Sequence, residues 1–123
     1  MSFTDLLAPK KSFSLAMHIS ETSKSFLKQK KYALMDQIRR SSRSVCANMA
    51  EAYRKRRYVN HFISKLTDCD GENSETTVWL DFAFECNYLS SEIHHYLTHK
   101  SAEIGKLINY MINNPDKFGC DPK

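Results

Sequence analysis

The sequence predicts an all-α protein that folds as an antiparallel up-down-up-down four-helix bundle. Only three Gly and three Pro occur among 123 residues, too few for a sheet with many turns. Apolar residues recur at intervals of three and four, the spacing of one helix face. Short connections favour antiparallel neighbours. The predicted elements are helices at about 12–28, 32–57, 59–87 and 91–113, and a flexible tail at 114–123.

The first predicted helix has a single apolar face and a candidate N-cap region. Ser12 follows Pro9, and serine is a favoured capping residue. The apolar face, spaced by four, three and four residues, is Leu15, Ile19, Thr22 and Phe26.

The second predicted helix contains neither Gly nor Pro, so nothing in it interrupts a helix. Several positions on its inner face are small, which lets a neighbouring helix approach closely. The face consists of Leu34, Ile38, Ser42, Val45, Met49 and Ala52.

The third predicted helix carries a sustained heptad pattern, typical of left-handed bundle packing. Gly71 lies inside it and costs about 1 kcal/mol relative to alanine. We interpret this glycine as a close helix contact or a kink, with a true helix break as the alternative. The heptad positions are Val59, Phe62, Leu66, Cys69, Asn73, Thr76, Leu80, Ala83 and Asn87.

A turn before Ser90 and Ser91, either of which is a good N-cap, precedes the fourth predicted helix. Pro115 ends this helix because proline cannot continue one, and the chain is expected to be loose from Asp116. The inner face consists of Ile93, Leu97, Lys100, Ile104, Leu107 and Met111.

Length and composition indicate one domain that lies in the cytoplasm. No apolar run approaches the roughly 18 residues that cross a bilayer, and the first residues do not resemble a signal peptide. The cysteines form no C-x-x-C pair, so reduced thiols are expected. They are Cys46, Cys69, Cys86 and Cys120.

The net charge of +4 conceals a strong asymmetry along the chain. Residues 1–60 carry 13 Lys and Arg against 4 Asp and Glu, a net charge of +9. Residues 61–123 carry 5 against 10, a net charge of −5. Two interpretations are open: the halves attract each other within the fold or between subunits, or the basic half faces a polyanion.

An antiparallel bundle brings the start of the first helix and the corner between the second and third helices to the same end. Cations concentrated there can displace counterions from a phosphate backbone, and Tyr53 and Tyr58 can stack on bases. The alternative is a solvated helix C-terminus, where cations favour the dipole. The candidate nucleic-acid-binding residues at this end are Lys10, Lys11, Arg54, Lys55, Arg56 and Arg57, with Lys65 beside them.

Arg39 and Arg43 lie four residues apart on one helix face, with Arg40 beside them. The functional interpretation is a second phosphate-contacting stripe. The alternative, which we favour, is ion pairing with acids of the third helix or of a neighbouring subunit, such as Asp68, Asp70, Glu72 or Glu75.

Asn48 and Glu51 lie three residues apart beside the apolar face of the second helix. We predict a structural tie to the third helix, to Asn73 or Thr76, rather than acid–base catalysis. The structural polar residues are therefore Asn48, Glu51, Asn73 and Glu75.

No combination of residues indicates an enzyme, a metal or a cofactor. His95 and His99 have spacing that can hold zinc, and Glu92 with His95 has ExxH spacing, but further ligands are lacking. Cys46 and Cys69 read as small core residues. No Gly-rich phosphate loop is present.

Two segments resemble a known family of small bacterial four-helix-bundle proteins, the 23S rRNA intervening-sequence proteins. Residues Gln37–Arg56, QIRRSSRSVCANMAEAYRKR, are similar to the family pattern Q-(I/L)-R-R-A-x-x-S-I-x-x-N-I-A-E-G, with Ala52 in place of its glycine. Residues Phe62–Ser90, FISKLTDCDGENSETTVWLDFAFECNYLS, are similar to the family's third helix.

This resemblance covers about residues 12–113 and implies a four-helix bundle of unknown general function. Relatives of the family include the accessory variability determinant proteins of diversity-generating retroelements. Those proteins are homopentamers that associate with a reverse transcriptase and with RNA or DNA. The resemblance implies a non-enzymatic oligomer, a pentamer by analogy, with a nucleic-acid-related role. The alternative is a homo-oligomeric scaffold for a protein partner such as a reverse transcriptase, without nucleic-acid contact.

Overall fold

A computed structural model describes residues 6–28 and 31–120, and these ranges contain helices and no strand. Residues 29 and 30 of the predicted corner at 29–31, and the last three residues of the predicted tail, lie outside the described residues. The elements are α1 (Leu7–Thr22), α2 (Lys24–Lys28), α3 (Tyr32–Arg54), α4 (Val59–Glu85), α5 (Ser91–Asn113) and a short 3-10 helix (Pro115–Phe118).

The four long helices form an antiparallel bundle, as predicted. Going round it, α1 packs on α3, α3 on α4, α4 on α5 and α5 on α1. Contacts between α3 and α4 run in opposite directions along the chain, since Arg40 meets Glu75 whereas Glu51 meets Lys65. The start of α1, the end of α3, the start of α4 and the end of α5 therefore share one end, which we call end A. We call the opposite end, where α4 ends and α5 begins, end B.

The core follows the predicted apolar faces closely in the first three predicted helices. The predicted face of α5 is partly wrong, because Ile93 is exposed and Ser101 and Ile108 are buried, whereas Lys100 and Leu107 are only half-buried.

In α4 every predicted position from Phe62 to Ala83 is buried, whereas Asn87 is exposed and has a positive φ of 64° in the turn to α5. Ser90 caps α5 by accepting a hydrogen bond from the backbone N–H of Ile93 at 3.2 Å. The heptad spacing thus predicted which face of α4 is buried.

The first helix differs from the prediction at both ends. It begins at Leu7, because Pro9 is tolerated in the first turn, where its missing N–H has no helical acceptor. It ends at Thr22, and Ser23 separates it from α2. The Ser23 hydroxyl donates to the carbonyl of Ser20 at 3.1 Å and receives a bond from Arg39 Nε at 2.7 Å. The contact from Arg39 comes from another helix, so local sequence patterns could not predict it.

Gly71 lies inside a continuous α4 and faces solvent. A Cβ built there would meet no atom within 4 Å, so the close-contact interpretation is wrong. The helix also continues past it, so there is no break.

The tail is not loose throughout. Residues Pro115–Phe118 form the 3-10 helix, which contacts α4 and α5, and Cys120 is buried at end A. Pro115 does end α5, but it then begins this short helix, because its fixed φ suits a first helical position.

A hydrogen-bonded polar layer crosses the middle of the core. The Asn73 side chain donates to the carbonyl of Ser101 at 2.9 Å and accepts from the Ser101 hydroxyl at 3.1 Å. On the other side of α4, the Thr76 hydroxyl donates to Ser41 Oγ at 2.9 Å. Because all four residues are buried, these bonds satisfy groups that would otherwise be costly to remove from water.

Candidate nucleic-acid interface

End A carries a group of four cations, which we call the basic corner: Lys10, Arg54, Lys55 and Arg57. Lys10 lies in the first turns of α1, and the other three lie where α3 ends and the chain turns into α4. All are exposed except Lys55, which is half-buried. In the described ranges no carboxylate lies within ion-pairing distance of any of them. Their charge is therefore available to an external anion.

Two further cations predicted at this end are neutralised by acids. Lys11 Nζ lies 3.0 Å from Glu103 Oε2, and hydrogen bonding to Lys11 lowers the pKa of Glu103. Lys65 Nζ lies 3.0 Å from Glu51 Oε2, and hydrogen bonding to Glu51 raises the pKa of Lys65. Lys11 therefore ties α1 to α5, and Lys65 ties α4 to α3.

Arg56 is held by the protein itself. Its guanidinium lies 3.6 Å from the ring centroid of Tyr53, and its Nη1 donates to the carbonyl of Phe118 at 3.3 Å. Gly119 adopts a φ of 93°, and a Cβ there would lie 2.7 Å from Arg56 Nη1. Arg56 thus fastens the C-terminal segment to end A, and its phosphate contact stays a prediction.

The predicted arginine stripe does not persist as one surface, because Arg39 is turned toward α1. Its Nε donates to Ser23 Oγ at 2.7 Å and its Nη2 donates to the carbonyl of Ser20 at 3.0 Å. The arginine therefore bridges α3 and the end of α1.

Arg40 is bound by two acids of α4, as the alternative interpretation held. Its Nη1 donates to Glu72 at 2.9 Å and its Nη2 donates to Glu75 at 2.7 Å. Hydrogen bonding to Arg40 lowers the pKa of Glu75. Of the three arginines only Arg43 is exposed without an ion pair among the described residues.

The predicted structural polar residues have partners that differ in part from the predicted ones. Asn48 donates to the carbonyl of Ser44 in its own helix at 3.0 Å, and not to Asn73 or Thr76. Glu51 does tie α3 to α4, through Lys65. Asn73 points to α5, because helical periodicity places it on the opposite side of α4 from α3.

Sequence reasoning did not consider Lys106 as a candidate contact. Lys106 is exposed in the second half of α5, which runs toward end A, and it has no ion pair among the described residues. It stands alone in its segment, so no local charge run drew attention to it. Helical periodicity places Lys106 on the outer face of α5, and this could have identified it from the sequence.

Exposed carboxylates concentrate at end B. Glu85 is the last residue of α4 and Glu92 lies in the first turn of α5. Asp81 Oδ1 lies 2.8 Å from His94 Nε2, which joins α4 to α5. The charge asymmetry along the sequence thus corresponds in part to a separation of charge along the bundle axis.

Within the described ranges no group of three or more His, Cys, Asp or Glu residues could hold a metal ion. His95 and His99 stack with ring centroids 6.3 Å apart on exposed α5 surface. No helix described here is long and apolar enough to span a membrane.

The cysteines differ in reactivity in a way that can be measured. Burial raises the pKa of Cys69 to about 12 and also raises the pKa of Cys46, so both thiols stay protonated near neutral pH. Cys86 is exposed in the turn at end B.

We expect a maleimide to label Cys86 rapidly and Cys69 only after unfolding, as read by mass spectrometry of peptides. Equal labelling rates in the native protein would contradict this burial.

Comparison with known proteins adds two findings. The profile of a family described as "23S rRNA-intervening sequence protein" matches residues 4–110. A crystal structure from Bacteroides thetaiotaomicron, described as a protein of unknown function from the S23 ribosomal protein family, superposes with a TM-score of 0.81 at 31% sequence identity. The alignment covers 86% of this chain and 98% of that one. No curated protein gives a significant match.

Proposed function

The chain belongs to the 23S rRNA-intervening sequence protein family, and from this premise we propose that it is a non-enzymatic oligomeric protein of the cytoplasm that associates with nucleic acid. The contact surface is the basic corner, with Lys106 and Arg43 as outlying cations. The observation that carries the proposal is that the four cations of the corner lack an acidic partner among the described residues, whereas Lys11, Arg40 and Lys65 have one.

The chemistry of the corner suits a phosphate backbone. Arg54 and Arg57 present planar guanidinium groups, which bind phosphate oxygens in a bidentate manner, and Lys10 and Lys55 add point charges. Each cation that neutralises a phosphate releases condensed counterions, so affinity falls with added salt. Such contacts hold RNA or DNA without reading its sequence.

A scaffold for a protein partner, such as a reverse transcriptase, is the second candidate, and exposed apolar side chains favour it. Phe13 and Met17 lie one turn apart on α1 with 63% and 54% of their surfaces exposed, and Phe82 on α4 is 53% exposed. Neighbouring exposed apolar side chains, such as Phe13 and Met17, form a contiguous surface of the kind that marks interfaces between proteins. A mass measurement in solution tests assembly: a pentamer supports the analogy with the retroelement proteins, and a monomer rules it out.

The nucleic-acid proposal is tested by replacing both Arg54 and Arg57 with alanine. We expect this double variant to lose at least tenfold in affinity for a fluorescent oligonucleotide at low salt, because two phosphate contacts disappear. Arg56 is left in place because it secures the C-terminal segment. Fluorescence anisotropy across a salt series measures both affinity and its salt slope.

The matched control replaces Lys24 and Arg40 with alanine. This variant also loses two positive charges, but at positions away from end A. Both are ion-paired, Lys24 to Glu21 and Arg40 to Glu72 and Glu75. We expect this control to bind nearly as well as the unmodified protein. If both variants weaken equally, binding depends on net charge alone and the basic corner is not the site.

A further inference from the structure

The turn between α3 and α4 presents an aromatic ring on a fixed backbone. Tyr58 precedes α4, and its N–H donates to the carbonyl of Lys55 at 2.9 Å. Its own carbonyl accepts from the N–H groups of His61 and Phe62, at 2.9 and 3.0 Å. The side chain nevertheless remains 58% exposed. The backbone that carries the ring is therefore fixed before a ligand binds, and the ring itself is open to solvent.

A second ring lies beside the first. The centroids of Tyr58 and His61 are 5.7 Å apart, with the planes tilted by 48°. His61 is itself exposed in the first turn of α4. The pair therefore forms a small aromatic surface at the foot of α4, directly after Arg57.

The other tyrosine of this region is not comparable. The Tyr53 ring has the Arg56 guanidinium 3.6 Å from its centroid, so one face is already covered. Tyr53 is also half-buried. The two tyrosines looked equivalent in sequence, and the structure leaves Tyr58 as the one with an accessible ring.

We propose that the basic corner prefers single-stranded nucleic acid and stacks one unpaired base on Tyr58. This rests on the function proposed above. Arg54 and Arg57 both precede the ring in sequence and supply phosphate contacts. The ring supplies a contact that a duplex cannot use, because paired bases are already stacked on their neighbours. Base stacking on an aromatic side chain tolerates any base, so no sequence preference is required.

The test compares a single-stranded oligonucleotide with the same strand annealed to its complement. We expect the unmodified protein to bind the single strand more tightly. Tyr58→Leu is expected to weaken single-strand binding about tenfold and leave duplex binding unchanged, because stacking on one base is lost. Tyr58→Phe keeps the ring and should bind like the unmodified protein.

Tyr32→Leu is the matched control, since Tyr32 is 51% exposed at the start of α3, at end B. It should leave both affinities unchanged. If Tyr58→Leu binds the single strand normally while the Arg54 and Arg57 double variant does not, the stacking inference is wrong and the proposed function stands. If the unmodified protein binds neither strand form, the proposed function fails and the stacking inference fails with it.

Discussion

Replacing Phe62 with alanine is expected to lower the free energy of unfolding by about 3–5 kcal/mol, the usual cost of a large aromatic side chain removed from a core. Phe62 lies one turn into α4, is completely buried and belongs to the central apolar cluster. Because a domain of this size has only about 5–15 kcal/mol of stability, such a loss leaves the bundle marginal. Urea unfolding followed by circular dichroism measures it.

Phe82 provides the control on the same helix. It is 53% exposed and contacts the Trp79 ring at a centroid distance of 5.9 Å. Phe82→Ala should cost less than about 1 kcal/mol, since little apolar surface is returned to water. Comparable losses for the two variants would show that the packing face of α4 is not the one described.

Replacing Asn73 with alanine is expected to cost about 1–3 kcal/mol for the broken hydrogen bonds, with a further cavity contribution. The amide bonds both the carbonyl and the hydroxyl of Ser101, so its removal leaves the Ser101 hydroxyl with fewer partners in the core. The same urea series measures the change.

Asn109 is the matched residue at the surface. It lies on α5, and its Nδ2 donates to the carbonyl of Gly105 at 2.9 Å from an exposed position. Asn109→Ala should change the free energy of unfolding by no more than about 0.5 kcal/mol. If Asn73→Ala is equally mild, the predicted contribution of the buried amide to stability is wrong.

The long helices were accessible from sequence because their burial is periodic. Predicted bounds of 59–87 and 91–113 compare with Val59–Glu85 and Ser91–Asn113. The start of α1 was missed because Ser12 was taken as the N-cap region, although Pro9 fits the first turn of a helix, where its missing N–H has no helical acceptor. The break at Ser23 was missed because Arg39, sixteen residues away, helps to fix it.

The candidate interface was less predictable, because charge is visible in sequence and pairing is not. Arg54, Arg56 and Arg57 are near neighbours in the chain, but Arg56 turns back to a carbonyl 62 residues later. Arg39 and Arg40 look alike, yet one contacts α1 and the other contacts α4. Only the packing of the helices decides which cation finds a partner inside the protein.

Among the described residues, the unpaired cations of end A and the exposed carboxylates of end B form a charge separation along the bundle axis, reduced by Lys24 at end B and Asp116 at end A. In the field of the polyanion proposed above, such a separation would exert a torque that turns end A forward before contact. We therefore expect encounters to be oriented as well as attracted, with a higher association rate constant at low ionic strength. Because the Debye length is about 8 Å at physiological ionic strength, this alignment acts only over the last part of the approach.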